Sequence, residues 1–231
     1  GTRHCMNALI LDTETHDMNG YPIEIAHVPC DFNKLGVLQI VDDLLFDKFY
    51  SCPEPISFAA MAVHHIIESD LINKPSYNTF RLPQGVTYLI GHNIDYDIKA
   101  VQKCDNSIQV KGICTLALSR MVWPDVPAHN LSALYYMIAG GTDQTRKELR
   151  NAHNAAADIM FTATILRELI KLTGIKDMQS LYLLSEKARI PTKMTFGKHS
   201  GMLIKDVPAD YKTWLLKQSD LDPYLRKALE A

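Results

Sequence analysis

The first apolar run of the chain is Ala8-Leu9-Ile10-Leu11, and it stops at Asp12. A short apolar run that ends in polar residues is the pattern of a buried strand, here over 7–13. Tyr21-Pro22 closes the turn that follows, 23–28 alternates as a second strand, and 37–50 contains a third. Residues 88–90 predict a fourth, running into Gly91-His92-Asn93, and 110–114 a fifth. Helical spacing takes over elsewhere. Ser57 can cap a helix through Ala59, Met61 and His64, because a serine oxygen accepts from an orphan amide at a helix start. Residues 98–101 read as the start of another, and 116–122, 131–138 and 155–172 follow. In the last of these Ile159, Ala163, Leu166 and Ile170 recur at helical spacing, with Gly174 just beyond the end. Strands first, with helices between and after, predict an α/β fold: a mixed five-stranded sheet with helices on its faces.

Composition narrows the class. Of 231 residues 47% are hydrophobic and 22% charged, which places the chain among globular rather than disordered proteins. No apolar run approaches the ~20 residues that span a bilayer, so no membrane partner is expected. No basic-then-apolar signal pattern opens the chain. The cysteines, Cys5, Cys30, Cys52, Cys104 and Cys114, are odd in number and form no Cys-x-x-Cys pair. That argues against a disulfide framework or a zinc knuckle and for a reducing, cytoplasmic setting.

Charge adds a boundary. The formal net charge of −2 excludes a bulk polycation that coats nucleic acid. Residues 186–231 hold nine Lys/Arg and six Asp/Glu, a net +3, whereas 1–185 carry −5. The asymmetry, with Pro191 and Thr192 as a linker, predicts a domain over 1–185 and a small C-terminal module over 191–231.

Candidate chemistry lies where elements end. Asp12 and Glu14 sit two apart on the first strand, so both carboxylates share one face and could hold a hard cation such as Mg²⁺. Alone the pair says little: acid-x-acid occurs at 12/14, 68/70, 95/97 and 220/222, and 26 acids would give about three such pairs by chance. A second candidate is His92-Asn93-Ile94-Asp95-Tyr96-Asp97, where a strand meets a helix and where open α/β sheets place ligands. Either aspartate there could instead be a helix cap. The third is His153-Asn154-Ala155-Ala156-Ala157-Asp158, leading into the long helix. Its alanines remove bulk, so that helix start could approach a crowded site, although alanine is also simply the best helix former. Jointly these give carboxylates at three element ends with a histidine five residues before the last. Such charges repel and raise one another's pKa values unless cations offset them, and two divalent ions are the usual clamp for displacement at phosphorus.

These residues, in this order, resemble the DEDDh superfamily of 3′–5′ exonucleases. Leu11-Asp12-Thr13-Glu14-Thr15 looks like its first motif. His92 to Asp97 looks like its second, in which an aromatic residue precedes the metal-site aspartate, and this selects Asp97 over Asp95. His153 to Asp158 looks like the third, His-x-Ala-x-x-Asp. Ala62-Val63-His64-His65-Ile66 resembles the family's His-Gly-Ile turn, and Cys114-Thr115 and His129-Asn130-Leu131 match supporting stretches. The likeness covers about 7–172. It implies a ribonuclease-H-like fold, Asp12, Glu14 and Asp158 on one Mg²⁺, Asp12 bridging to a second with help from Asp97, and His153 as general base; Mn²⁺ would substitute. Thr15, His64 and Asn93 would lie near the terminal nucleotide. Two departures border that region: His16-Asp17-Met18 replaces a glycine-based turn, and His65 replaces the glycine of His-Gly-Ile.

The tail, from Thr195-Phe196-Gly197-Lys198-His199-Ser200-Gly201 to Tyr211-Lys212-Thr213-Trp214, is similar to a C-terminal module of one branch of the same superfamily. Its lysines beside Phe196, Tyr211 and Trp214 suit single-stranded nucleic acid, where bases stack on aromatic faces. The same aromatics could instead be the core of a very small unit. The resemblance implies a hydrolase acting on 3′ ends of DNA, single-stranded or duplex, and releasing nucleoside 5′-monophosphates. An exoribonuclease acting on RNA ends is the nearest alternative, because readout of the 2′-hydroxyl is not visible in sequence. A non-catalytic docking module would lack a carboxylate or the histidine, and none is missing.

Overall fold

The computed structural model of the chain describes residues 6–150 and 152–231, so Cys5 lies outside the described residues. Cys30, Cys52, Cys104 and Cys114 are free thiols. No helix among the described residues is long and apolar enough to cross a membrane.

The strands are β1 (Ala8–Thr15), β2 (Pro22–Phe32), β3 (Leu38–Ile40), β4 (Phe46–Phe49), β5 (Tyr88–Gly91) and β6 (Lys111–Cys114). They form a mixed sheet in the order β3-β2-β1-β5-β6, and β4 pairs with the other half of β2. The sheet has six strands rather than five because 37–50 divides. A 3₁₀ turn at Asp42–Leu44, with exposed acids, steps the chain from one end of β2 to the other, and the eleven residues of β2 are long enough to take both partners. β1 pairs antiparallel with β2 and parallel with β5, which in turn is parallel to β6.

The helices are α1 (Phe58–His64), α2 (Ile94–Cys104), α3 (Thr115–Val122), α4 (Leu131–Ala139), α5 (Asp143–Leu149), α6 (Ala155–Thr173), α7 (Met178–Arg189), α8 (Ala209–Leu216) and α9 (Pro223–Glu230). Asn154 caps α6 by accepting from the Ala157 amide at 3.1 Å, and Gly174 closes it at φ +70°. α2 starts at Ile94, four residues before the apolar spacing predicts, because Asn93 takes a left-handed conformation and turns the chain directly from β5 into the helix.

Strand alternation sorts the side chains of β1 onto two cores. Ala8 and Ile10 join Ala26, Val28 and Ile90 under α6, in a cluster with Ile159, Ala163 and Leu166. Leu9 and Leu11 join Ile25 and Leu89 on the opposite face, against Ile94 and Val101 of α2. Emptying one such position costs about 2–5 kcal/mol for Leu→Ala, so both faces are strongly specified. A third cluster, Met194, Ile204, Val207, Leu215, Leu225 and Leu229, lies in the C-terminal residues. Phe196 and Trp214 are not part of it; they are 47% and 54% exposed, so the core there is aliphatic and the two large aromatics face solvent.

Candidate active site

The alternation that sends Ala8 and Ile10 toward α6 continues past Leu11. Asp12 and Glu14 therefore point to the α6 face, and Thr13 and Thr15 to the α2 face. Asp158, in the first turn of α6, meets the two carboxylates from above the sheet: one oxygen from each of Asp12, Glu14 and Asp158 lies within 4.8 Å of the others. Ala155 is fully buried, so the missing bulk does bring this helix start against the sheet. Asp158 Oδ1 accepts from the His153 amide at 3.0 Å.

Asp97 approaches from the other face. It sits in the first turn of α2, is 4% exposed, and its Oδ1 accepts from both the amide and the hydroxyl of Thr13. Asp95, the other acid of that motif, is exposed and pairs with Arg189 at 3.1 Å. The structure thus separates the two: Asp97 is buried and close enough for its charge to raise the Asp12 carboxyl, although it lies outside the 4.8 Å group of Asp12, Glu14 and Asp158, whereas Asp95 pairs with Arg189.

Brought together, these carboxyls raise one another's pKa values. Burial pushes the Asp12 carboxyl well above the usual range, and the charges of Asp97, Glu14, Asp158 and Glu24 push it further. Burial and then Asp158 raise Glu14 to about 9. Burial raises Asp97 to about 7, against the opposing hydrogen bonds of Thr13. Asp158 rises to about 6, again mainly from burial. Asp12 Oδ2 is buried with no hydrogen-bond partner. A converging set of hard oxygen donors, one of them orphaned, fits a hard divalent cation.

One carboxylate of this neighbourhood escaped the sequence reading. Glu24 lies directly across from Glu14 in the β1–β2 ladder, is 3% exposed, and accepts from the Ala155 amide at 3.1 Å. Burial first, and then a hydrogen bond shared with Asp47, raise it to about 8. The signal was available: in Ile23-Glu24-Ile25-Ala26 a glutamate takes the same side as Ala26 and Val28, which are core.

The remaining candidates divide by what their polar atoms already do. His153 is exposed, takes φ +66°, and among the described residues its ring makes no hydrogen bond. His64 is buried with both nitrogens committed: Nδ1 accepts from the Ile66 amide at 3.0 Å, so Nε2–H donates to the Thr15 carbonyl at 3.0 Å. Burial lowers its pKa. Thr15 Oγ1 donates to the Asp17 carbonyl at 2.8 Å and accepts from the Tyr96 hydroxyl at 2.6 Å. Asn93 is exposed and its side chain caps nothing. A cavity of about 410 Å³ opens beside Thr15, lined also by Tyr96, Lys99 and Lys103.

Both departures have local explanations. After Thr15 the turn closes through Gly20, whose amide donates to the Asp17 carbonyl at 2.9 Å; a Cβ there would lie 2.4 Å from His16 Nδ1, so the glycine requirement has moved to 20. His65 ends α1 at φ +59°, the left-handed conformation that favours glycine, which is why its place is a glycine position.

A mixed sheet whose central strand aims two carboxylates at the first turn of a packed helix, with further acids from that helix and from the helix beyond, defines a nuclease of the ribonuclease-H-like class. The chain belongs to the Exonuclease (RNase_T) family, which matches residues 9–166, and it is a 3′–5′ exonuclease, a phosphodiester hydrolase. Over 230 residues it is 29% identical to Exodeoxyribonuclease 10 of Escherichia coli (strain K12), covering 96% of each chain. Among solved structures it is similar to "Exonuclease X in complex with 5′ overhanging duplex DNA", with a TM-score of 0.57 and 28% identity over 76% of this chain and 99% of that one. It shares the fold of cell-death related nuclease 4 (CRN-4), with a TM-score of 0.50 and 18% identity over 74% of this chain and 65% of that one. The likeness of the tail to one branch of these exonucleases agrees with a relative that aligns along nearly the whole chain.

Proposed function

We propose that the chain removes nucleotides one at a time from 3′ ends of DNA and releases nucleoside 5′-monophosphates. The observation that carries the reading is the meeting of Asp12, Glu14 and Asp158 within 4.8 Å, with Asp97 near enough for its charge to act on Asp12. That the substrate is DNA is supported by the exodeoxyribonuclease relative and by the duplex held in the solved Exonuclease X complex.

In this reading Asp12, Glu14 and Asp158 would hold one Mg²⁺ and Asp12 would also serve a second, with help from Asp97; Mn²⁺ would substitute. Bound there, the cations supply charge for the leaving oxygen and acidity to the attacking water. The chain supplies the rest. His153 is free to take the proton of that water, since its ring is exposed, makes no hydrogen bond among the described residues and belongs to the residue whose amide binds Asp158. Thr15, at the cavity beside β1, and Asn93, at the exposed start of α2, receive the terminal nucleotide. His64 acts one step back, by fixing the Thr15 carbonyl. Residues 191–231 are a module of their own in this reading, which their separate aliphatic cluster supports.

The test is a time course on end-labelled single- and double-stranded DNA and RNA, with and without Mg²⁺. Stepwise loss of nucleotides from the 3′ end, faster on DNA and absent in chelator, is expected. Equal rates on RNA, or activity in chelator, would refute the reading.

A further inference from the structure

Outside the carboxylate site, a charged concavity lies between the end of α7 and the C-terminal residues. Its volume is about 770 Å³. Four cations line it, Arg120, Lys187, Arg189 and Lys193, against two carboxylates, Asp95 and Asp222. Both carboxylates are occupied. Asp95 accepts from Arg189 at 3.1 Å, and Asp222 caps α9 by accepting from the amides of Tyr224 at 2.9 Å and Leu225 at 3.1 Å. Arg189 Nη1 is occupied too, since it also donates to the Tyr224 hydroxyl at 2.6 Å, while Nη2 is buried without a partner among the described residues. That leaves Arg120, Lys187 and Lys193, all exposed and, among the described residues, without an ion-pair partner. Unneutralised cations converging on one concavity create the local potential that attracts a polyanion.

Two neighbours indicate which polyanion. At one end the cleft includes Asn93, the residue that turns β5 into α2 and so precedes Asp97. At the other end it includes Thr195, and the next residue is the exposed Phe196. Beyond Phe196 the Lys198 ammonium lies 5.3 Å from the centre of the Tyr211 ring, and that ring lies 5.6 Å from the half-exposed Trp214. Charge therefore leads into exposed aromatic faces. An acidic peptide would use only the charge, whereas a single nucleic-acid strand uses both, with phosphates on the cations and bases on the rings.

We infer that this cleft binds the backbone of a single-stranded stretch of nucleic acid and delivers it onto the Phe196–Trp214 surface, so that the C-terminal residues clamp the substrate whose end lies at β1. The identity of the polyanion rests on the exonuclease reading; the cleft itself is tested without catalysis.

The experiment measures binding of a labelled oligothymidylate by fluorescence anisotropy in chelator, across a salt series. Three chains are compared: the unaltered protein, a cleft variant carrying Arg120→Ala, Lys187→Ala and Lys193→Ala, and a charge-matched control carrying Lys34→Ala, Lys171→Ala and Lys176→Ala. At ~0.7 per phosphate contact in a single strand, the slope of log affinity against log salt should fall by about 2 in the cleft variant. Affinity at low salt should fall at least about tenfold there and stay within about twofold in the control. Trp214→Ala should weaken oligothymidylate at least about fivefold and leave an abasic strand unaffected. Equal losses in both triple variants, no loss in either, or equal competition by polyglutamate would each overturn the inference. Mg²⁺-dependent digestion by the unaltered protein is scored separately. Binding as described without digestion would refute the nuclease reading and leave the cleft standing.

Discussion

Asp97 Oδ1 accepts two hydrogen bonds from one residue: the Thr13 amide at 3.0 Å and the Thr13 hydroxyl at 2.7 Å. Thr13 lies between Asp12 and Glu14, so the strand that aims two acids at α6 also pins the acid of α2. Thr13→Val keeps the amide and the shape and removes the hydroxyl. It should lower stability by about 1–2 kcal/mol, the usual scale for a lost buried hydrogen bond, and lower kcat at least about tenfold. Thr13→Ser should restore both. Urea unfolding in chelator and steady-state digestion read the two effects separately; a fully active Val variant would contradict the role.

Asp12 is the most strongly crowded of the acids. Asp12→Asn should abolish digestion and yet raise Tm in chelator, by ~2–4 °C for each kcal/mol of repulsion removed in a chain of this size. The new amide can donate to Glu14 or Asp158, so the change leaves no additional orphan. An unchanged Tm alongside lost activity would mean that the acids do not strain the metal-free protein.

The pH dependence of that strain has a definite sign. Glu14 titrates near 9 in the folded chain, and Asp12 well above its ordinary value. Groups with raised pKa values stabilise the fold below their unfolded values and lose that contribution as pH rises through the folded ones. The metal-free protein should therefore lose stability from about pH 5 toward pH 9 through these groups. A divalent cation offsets charges that protons no longer cover, so the Tm gain on adding Mg²⁺ or Mn²⁺ should grow from pH 6 to pH 9. A thermal-shift series over that range checks it; a flat response would remove the acids as ligands.

His27 sets the acid side. It is 5% exposed, stacks on Phe46 at 4.4 Å between ring centres, and burial lowers its pKa to about 4. A depressed histidine leaves the fold intact above its unfolded pKa near ~6.5 and costs stability as pH falls toward 4, by about 3 kcal/mol in all. His27→Phe should flatten the loss between pH 6.5 and 4 in chemical unfolding, and a slope identical to that of the unaltered chain would refute the assignment.

Glu24 positions the start of α6 through the Ala155 amide. Glu24→Gln keeps an acceptor and should stay within about threefold of full activity. Glu24→Ala leaves a buried amide unpaired, which costs about 1–3 kcal/mol, and should lower kcat about tenfold or more as Asp158 shifts. Measuring the folded fraction of each variant by circular dichroism beside kcat separates this from simple destabilisation, which would lower apparent kcat only in proportion to the unfolded fraction and leave KM unchanged.

The legible parts of the fold were those with a period. The apolar run ending at Asp12 gave β1, and the spacing through Ile170 gave α6 to within a residue. Where conformation depends on one backbone angle, spacing is silent. Asn93 at φ +69° moved the start of α2, and the exposed Asp42 and Asp43 split one predicted strand into two. At the site, Asp12, Glu14 and Asp158 were readable because strand and helix periods place them. For Glu24 the strand period shows only that it faces the core side; its role comes from a register partner and an amide 131 residues away, which spacing does not show. Phe196 and Trp214 left core and surface open, and only the aliphatic cluster beside them decides it.

The two-sidedness of β1 makes the strand an error check on folding. Slip its pairing by one residue and Asp12 and Glu14 turn toward α2, while Leu9 and Leu11 turn toward α6. Such a chain would lose its carboxylate cluster and both cores in the same event, so no partly registered form could remain both folded and half-active. Hydrolytic competence and correct pairing are in this way written into the same eight residues.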